Sequence, residues 1–486
     1  MSLEKSLNSS EPLPASLIAT LAAPSHTPSS LTRESSLSTP KRTLGLASAT
    51  TIVVASMIGV GVYTTSGFTL AALQDPTQVV LAWMIGGMIA ICGAIGYSSL
   101  AAKFQDSGGE YLFLTKTVHP AAGVMAGWVS MLAGFTGAIA AAAIGIEEYL
   151  EPVILSVCNL EKIPDKSLAI FSIAIATTLH CTGVRFAARV QDFIVLIKLL
   201  MLAGFIYFAF TSTEVWHHEM DNAVSLEGGA RFDMLTFAKQ LVWISFSYAG
   251  FNAAIYICGE VEQPQRNVPR AMILGTSLVT VIYVLLNGIF VYTSPIAVLT
   301  ANENLSQVAT VAAISIGGTS MANFVRTVII VSLFTSVSAM IMTGPRVYAK
   351  MADDGVLPSW FSFQRKTPIT SIVFQSAAAI MVISISSLGS LLGYLGLTLS
   401  LCSALTVGSI FLCPKENSGT GGPYRLKVGV AIAALTYVAA TLVLAMLYGI
   451  EEHNREGFPY SALASLGTLC IGSVGYLFAK KQNRSF

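Results

Sequence analysis

Charge is what this 486-residue chain has least of. Only 11% of its residues are Asp, Glu, Lys or Arg, against 53% hydrophobic, where soluble domains carry about 25% charged residues. With a mean hydropathy of +0.68, a soluble fold is excluded as the working reading. The net charge is +1, so neither a nucleic-acid nor an acidic partner is indicated, and the charges inform by where they sit. Cysteine is scarce too. Its seven copies (92, 158, 181, 258, 402, 413 and 470) form no CxxC pair, which argues against a zinc or disulfide framework and reads them as small buried hydrophobes. The glycine-rich stretch 418–424 lacks a phosphate-loop pattern and reads as a loop. Asp353 and Asp354 read as a helix-exit turn and His217 and His218 as a solvated face, so no metal site is expected. With no nucleophile–base arrangement or nucleotide fingerprint in view, we expect no catalytic residue and no cofactor. The chain does not read as an enzyme.

What is there instead is uncharged length. A helix needs about 20 apolar residues to cross a bilayer, and twelve such windows are found: 44–73, 78–102, 121–146, 167–184, 190–212, 236–260, 271–293, 323–345, 367–386, 389–413, 428–450 and 457–479. The predicted fold class is an all-α polytopic membrane protein with twelve transmembrane helices. Residues 1–42 are rich in Ser, Thr, Pro and Leu and read as a disordered cytoplasmic tail rather than a signal peptide. Residues 43–413 form the expected transport core, and 414–486 supply helices eleven and twelve with a short C-terminus. With the N-terminus inside, twenty of the 27 Lys and Arg fall on the inner side and six on the outer. This bias places both termini in the cytoplasm. An integral protein of the cell membrane is the default reading, and the lipid bilayer is its first partner.

The stretch "MIGVGVYTTSG" breaks the apolar pattern of the first span with Gly59 and Gly61, although glycine costs roughly 1 kcal/mol against alanine inside a helix. The sixth span repeats the device in "ISFSYAGFNAAIYICGE". Each opens a block of five spans, and because five is odd the second block must enter the membrane inverted. A 5+5 inverted repeat with broken helices 1 and 6 follows. Paired interruptions of this kind point to a transporter's midplane substrate site. Backbone freed at 59–61 is tolerated only where it lines a cavity or is otherwise satisfied. N–H groups at the start of the resumed helix suit a carboxylate, and freed carbonyls suit an ammonium. A site with both takes a zwitterion, hence an amino acid substrate.

At these residues the sequence resembles the amino acid, polyamine and organocation transporter superfamily, whose amino acid permeases share the inverted-repeat fold of the leucine transporter. Beside the first-helix motif, "DSGGEYLFLTKTVHPAAGVMAGW", "FSYAGFNAAIYICGEVEQPQRNVPRA" and "GPRVYAKMADDGVLP" are similar to family motifs, in order, from about Thr43 to Pro358. The resemblance implies that the substrate carboxylate meets N–H groups around Gly59, Val60 and Gly61. It implies that the amine meets carbonyls of Met57, Phe246 and Ala249, and that Phe246 is an aromatic gate. Val60 stands where many members have Ser, so only a backbone contact is expected there.

Lys198 lies within the fifth span in "DFIVLIKLLML", where a charge costs about 2.5–3.5 kcal/mol on insertion scales and therefore needs a partner or a role. Snorkelling to the inner interface is the plain alternative. In sodium-independent relatives a Lys here resembles a replacement for a sodium ion, bridging helices one and eight and able to release and regain a proton. Ser332 and Ser336, at i and i+4, are its expected partners. We find no Asp or Glu at midplane depth, which favours a neutral substrate. The resulting expectation is a secondary transporter of neutral amino acids working by alternating access, either as a proton symporter or as an antiporter. A cationic amino acid or polyamine carrier, and a membrane amino acid sensor, are the alternatives. An accessory subunit is neither required nor excluded by the sequence.

Overall fold

In a bilayer every backbone polar group must be satisfied internally, which leaves helices as the natural form for a chain with uncharged runs of this length. The computed structural model describes residues 42–482, except 183, 213–231, 302–304, 364–367, 387, 414–425 and 457–459. Among these residues pairing of the β type is confined to one bridge, Leu44 with Val261. The tail, the histidine pair and the glycine-rich loop lie outside them.

The first span is two helices, α1 (Leu46–Met57) and α2 (Val60–Leu73). It is followed by α3 (Pro76–Lys103), whose start is fixed by Asp75 accepting from the Thr77 and Gln78 N–H groups ahead of a proline that needs no donor. A short helix, α4 (Gly109–Thr117), leads to α5 (Pro120–Val129), a π-helical stretch Ser130–Gly137, and α6 (Ala138–Cys158). Then come α7 (Ser167–Thr182), α8 (Val184–Thr211) and α9 (Met234–Tyr248), the last passing through a break into a 3-10 helix, Ala253–Glu260. The second half holds α10 (Pro264–Tyr292), α11 (Val308–Asp353), α12 (Ile369–Ile385), α13 (Leu388–Gly408), α14 (Val428–Glu456) and α15 (Tyr460–Gln482). α11 turns sharply at Gly317 and Gly318, so the window 323–345 is its straight segment after the kink.

Among the described residues nine continuous helical stretches, some of them joining two of these helices across a break, are long and apolar enough to cross a membrane, and the shorter apolar helices Ser167–Cys181, Ile369–Ile385 and Tyr460–Val474 occupy the remaining windows. Burial sorts them. The apolar window within Pro120–Cys158 is 83% buried and that within Val428–Asn454 only 22%, which makes the first central and the second peripheral. Phe193, Leu196, Leu200 and Tyr207 of α8 stay exposed, a face whose size needs lipid or protein against it.

One local reading changes. Cys258 and Cys402 are buried, whereas Cys158 and Cys470 are exposed, so burial does not explain the cysteines as a group. The Glu147 carboxylate accepts from the Lys166 and Ala169 N–H groups at 2.7 and 2.9 Å, capping the start of α7.

Candidate functional site

The helices enclose a central cavity whose walls include both breaks, the π-helical stretch, the middle of α11, and parts of α13 and α14. It offers about 90 Å³ to the centres of water molecules, several times the roughly 10–15 Å³ that one water requires. Met57, Gly59, Val60, Gly61, Phe246 and Ala249 all line it.

The first break is narrower than the sequence indicated. The chain leaves helical geometry at Ile58 (φ −74°, ψ 82°) and Gly59 (φ −116°, ψ −160°), and α2 begins at Val60. Gly61 is therefore inside a helix. Its lack of a side chain serves close approach, because a Cβ there would come within 2.2 Å of Ser247 Oγ. The N–H groups of Val60 and Gly61, in the first turn of a 14-residue helix, have no intrahelical acceptor and face the cavity end of the helix dipole. The Gly59 N–H is engaged, donating to the Met57 carbonyl at 2.8 Å.

Met57 departs from its expected use. Its carbonyl also accepts from the Tyr283 hydroxyl at 2.5 Å, so both lone pairs are taken and little remains for a substrate amine. The same hydroxyl reaches the Ser247 carbonyl at 3.0 Å, tying the two breaks together. In the second break Ala249 is extended (φ −57°, ψ 148°) and its N–H donates to the Phe246 carbonyl at 3.0 Å. That leaves one lone pair on Phe246 and the Ala249 carbonyl as acceptors. Gly250 then takes φ +98°, and a Cβ there would lie 2.8 Å from the Ser56 carbonyl oxygen. Glycine is required on both counts.

Residues with first-turn N–H donors at one helix start and carbonyl acceptors at a second break thus line one cavity, a set of groups that can receive both an anionic and a cationic group. The amino acid permease family model matches residues 44–471. This chain belongs to the amino acid permease family. The permease is 27% identical over 413 residues to the human large neutral amino acids transporter small subunit 2, covering 84% of this chain and 76% of the relative. It is 23% identical over 417 residues to the mouse Asc-type amino acid transporter 1, covering 84% and 77%. To the human b(0,+)-type amino acid transporter 1 it is 25% identical over 416 residues, covering 83% and 82%. The permease is thus an integral membrane protein of amino acid transport and not an enzyme.

Lys198 of the permease is fully buried and faces α11, as expected, but with a different partner. Its Nζ donates to Thr335 Oγ1 at 3.0 Å. Thr335 Oγ1 in turn donates to the Ser332 carbonyl at 2.7 Å, and its own carbonyl accepts from Gln191 Nε2 at 2.8 Å. Ser332 Oγ is occupied by the Tyr63 hydroxyl at 2.9 Å. Ser336 turns to the cavity, where a Cβ on Gly59 would stand 3.3 Å from its Oγ, and that buried oxygen has no hydrogen-bond partner. Snorkelling is excluded in this structure, since a fully buried ammonium does not reach an interface.

A second correction concerns charge. The cavity wall does contain a carboxylate, Glu110 of α4, 4% exposed. It escaped the span-by-span search because α4 lies outside every apolar window. Its Oε1 accepts from the Tyr97 hydroxyl, from Ser403 Oγ at 3.1 Å and from Asn252 Nδ2 at 3.1 Å. Its Oε2 faces Ser130 Oγ at 3.4 Å and Cys402 Sγ at 3.6 Å. Burial pushes this carboxyl above the ordinary range, and the bonds from Tyr97, Ser403, Cys402 and Ser130 pull it back. The π-helical geometry that aims Ser130 and Phe135 into the cavity is of a kind that recurs at functional sites.

Below the site, Arg346 of α11 pairs with Glu260 at 2.5 Å. The Glu260 carbonyl holds the Thr43 and Leu44 N–H groups at 2.8 and 3.0 Å. The N-terminal entry to α1 is thereby tied to the exit of the second broken helix. Asp354 accepts from Tyr111 at 2.9 Å and from Lys350 at 2.8 Å, consistent with a helix exit held by its neighbours.

Proposed function

We propose that this permease is a secondary active transporter of neutral amino acids. It moves them by alternating access through twelve spans in a 5+5 inverted repeat, with both termini in the cytoplasm and the cell membrane as its site of action. The single observation that carries this reading is the cavity lined by both helix breaks, with Val60 and Gly61 of the first turn of α2 and Phe246 and Ala249 of the second break all in its wall. The substrate carboxylate sits at the start of α2, where oriented donors and the helix dipole favour an anion. The ammonium sits on the second break, and Phe246 closes over the substrate as its gate. The side chain meets a largely apolar wall that includes Val60, Ala138, Ala142 and Leu399, which favours uncharged cargo.

Lys198 is the coupling group in this reading, because a fully buried ammonium with a hydroxyl partner on α11 is costly enough to demand a role. Proton symport uses its titration; exchange uses it as a fixed brace between α8 and α11. A companion chain is consistent with the words "small subunit" in the name of the human relative.

Uptake of labelled amino acids into liposomes carrying the purified permease, in sodium-free buffer with and without an inward proton gradient, tests all of this beside Lys198→Gln. Saturable uptake that rises with the gradient and loses that response in the variant is the expected result for symport. Uptake indifferent to the gradient but dependent on internal amino acid makes the permease an exchanger. Absence of saturable amino acid uptake would overturn the reading.

A further inference from the structure

Ser336 is the hydroxyl that α11 leaves over. Of the Ser and Thr side chains in the window 323–345, Thr327, Thr335 and Thr343 donate to the Asn323, Ser332 and Ala339 carbonyls at 2.9, 2.7 and 2.8 Å, Ser332 Oγ accepts from Tyr63 at 2.9 Å, and Ser338 Oγ meets His180 Nε2 at 2.8 Å. Ser336 alone among them has no partner within the described residues, although it is 0% exposed. A serine inside a helix usually escapes by bonding to the carbonyl four residues back. Here that carbonyl belongs to Ser332 and already accepts from the Thr335 hydroxyl. A buried polar group left unpaired is costly, so this hydroxyl calls for a partner from outside the protein's own groups.

The cavity is where such a partner meets it. Ser336 lines that cavity together with Gly59, Val60 and Gly61, and a Cβ on Gly59 would stand 3.3 Å from the Ser336 oxygen. Gly59 caps the start of α2, so the hydroxyl lies beside a helix N-terminus whose first-turn N–H groups have no intrahelical acceptor. Val60, the first residue of that turn, brings no hydroxyl of its own. A carboxylate offers two oxygens and about four acceptor sites, and the backbone donors of Val60 and Gly61 leave room for another. An O–H donor to an ionised acceptor makes one of the stronger hydrogen bonds available to a neutral side chain. Ser56 is the internal comparison. Its oxygen is also buried, unpartnered and in a residue of the cavity wall, but it stands at the second break, where a Cβ on Gly250 would lie 3.1 Å from Ser56 Cβ.

We propose that Ser336 is the side-chain donor to the substrate carboxylate, its hydroxyl joining the Val60 and Gly61 N–H groups so that the anion is held from α2 and α11 at once. This rests on the amino acid site of the proposed function and adds a residue to it. Thr335, the partner of Lys198, is the preceding residue, so one turn of α11 then carries both the carboxylate contact and the contact to the buried lysine.

The test is thermal unfolding of the purified permease in detergent, titrated with leucine and with leucinamide, which lacks the anion. Without ligand, Ser336→Ala is expected to melt at the wild-type temperature or above it, since no hydrogen bond within the protein is lost. The leucine concentration that gives a half-maximal rise in melting temperature is expected to increase by about tenfold or more, the loss of a bond to a charged group. For leucinamide the increase is expected to stay under about threefold, the loss of a weaker neutral bond at most. Ser336→Cys fills the same space with a weak donor and is expected to follow Ala. Ser56→Ala, at the second break, is expected to shift leucine and leucinamide alike.

An unchanged leucine response in Ser336→Ala overturns the proposal, and so does a wild-type response in Ser336→Cys, which would make the contact one of shape. A clear fall in the ligand-free melting temperature of Ser336→Ala would reveal a protein partner for the hydroxyl, again overturning it. Equal weakening of leucine and leucinamide takes the carboxylate out of the assignment. Where leucinamide shifts neither protein, the leucine responses of the Ala and Cys variants decide. If leucine stabilises the wild type and Ser336→Ala equally, amino acid binding stands and Ser336 alone falls; if no amino acid stabilises the wild type, the proposed function falls with it.

Discussion

The two interrupted helices use the same device in different ways. The first stops for two residues, Ile58 and Gly59, keeps negative φ throughout, and resumes as a full α-helix whose N-terminus faces the cavity. The second stops for four, passes through Gly250 at φ +98°, and resumes as a 3-10 helix, Ala253–Glu260. A clean α-helical N-terminus gives aligned donors for an anion. A longer irregular stretch gives unpaired carbonyls and side chains such as Asn252 for positive groups. In the proposed function this difference divides the labour of binding a zwitterion, and it locates where glycine is needed for conformation and where only for space.

That contrast can be broken most strongly at the glycines. Gly250→Ala must hold φ +98° with its Cβ 2.8 Å from a backbone oxygen. Strain of about 1–3 kcal/mol corresponds to roughly a 5- to 150-fold loss of transport rate if it falls on the active state. Gly59→Ala has an ordinary φ and meets a hydroxyl at 3.3 Å and the Met57 carbonyl oxygen at an ordinary contact distance of 3.8 Å, so its loss is expected to stay under about fivefold. Initial uptake rates of the two variants decide this, and equal losses would erase the distinction between the breaks. Gly61→Leu is a poor probe of binding alone, since its side chain collides with Ser247.

The clamp between the breaks sharpens the comparison at a middling scale. Tyr283→Phe removes the hydroxyl shared by the Met57 and Ser247 carbonyls, and leaving buried acceptors short of a donor costs about 1–3 kcal/mol. A lower melting temperature in detergent, with a raised KM for uptake, is the expected outcome; an unchanged melting temperature would show that the breaks are held elsewhere.

The smallest effects lie on α11. Thr335→Ala removes the partner of Lys198 and is expected to reproduce the Lys198→Gln loss of gradient response. Ser332→Ala takes the acceptor from Tyr63 and is expected to cost about 1 kcal/mol of stability with the gradient response kept. Gradient-driven uptake by the two variants separates them, and the reverse order would restore Ser332 as the partner of Lys198.

By itself the sequence determined that the chain is helical and membrane-embedded, where its apolar windows fall, and that Gly-rich interruptions stand in the first and sixth. Composition and spacing suffice for this because lipid leaves a backbone so few ways to satisfy its polar groups. It brought six residues to one cavity, Met57, Gly59, Val60, Gly61, Phe246 and Ala249. It could not show that the Met57 carbonyl is taken by Tyr283, a residue 226 positions away. It named Ser332 and Ser336 as partners of Lys198 and passed over Thr335, because residues three and four apart share one helical face and only the packed rotation of α11 against α8 and α2 selects which meets Lys198. Glu110 was hidden for a related reason. A carboxylate on a short helix between spans is peripheral in one dimension, and only the Gly–Gly turn and the packing of α3, the second break and α13 around it make it part of the cavity wall. Tertiary structure alone decided that a carboxyl stands in the cavity wall.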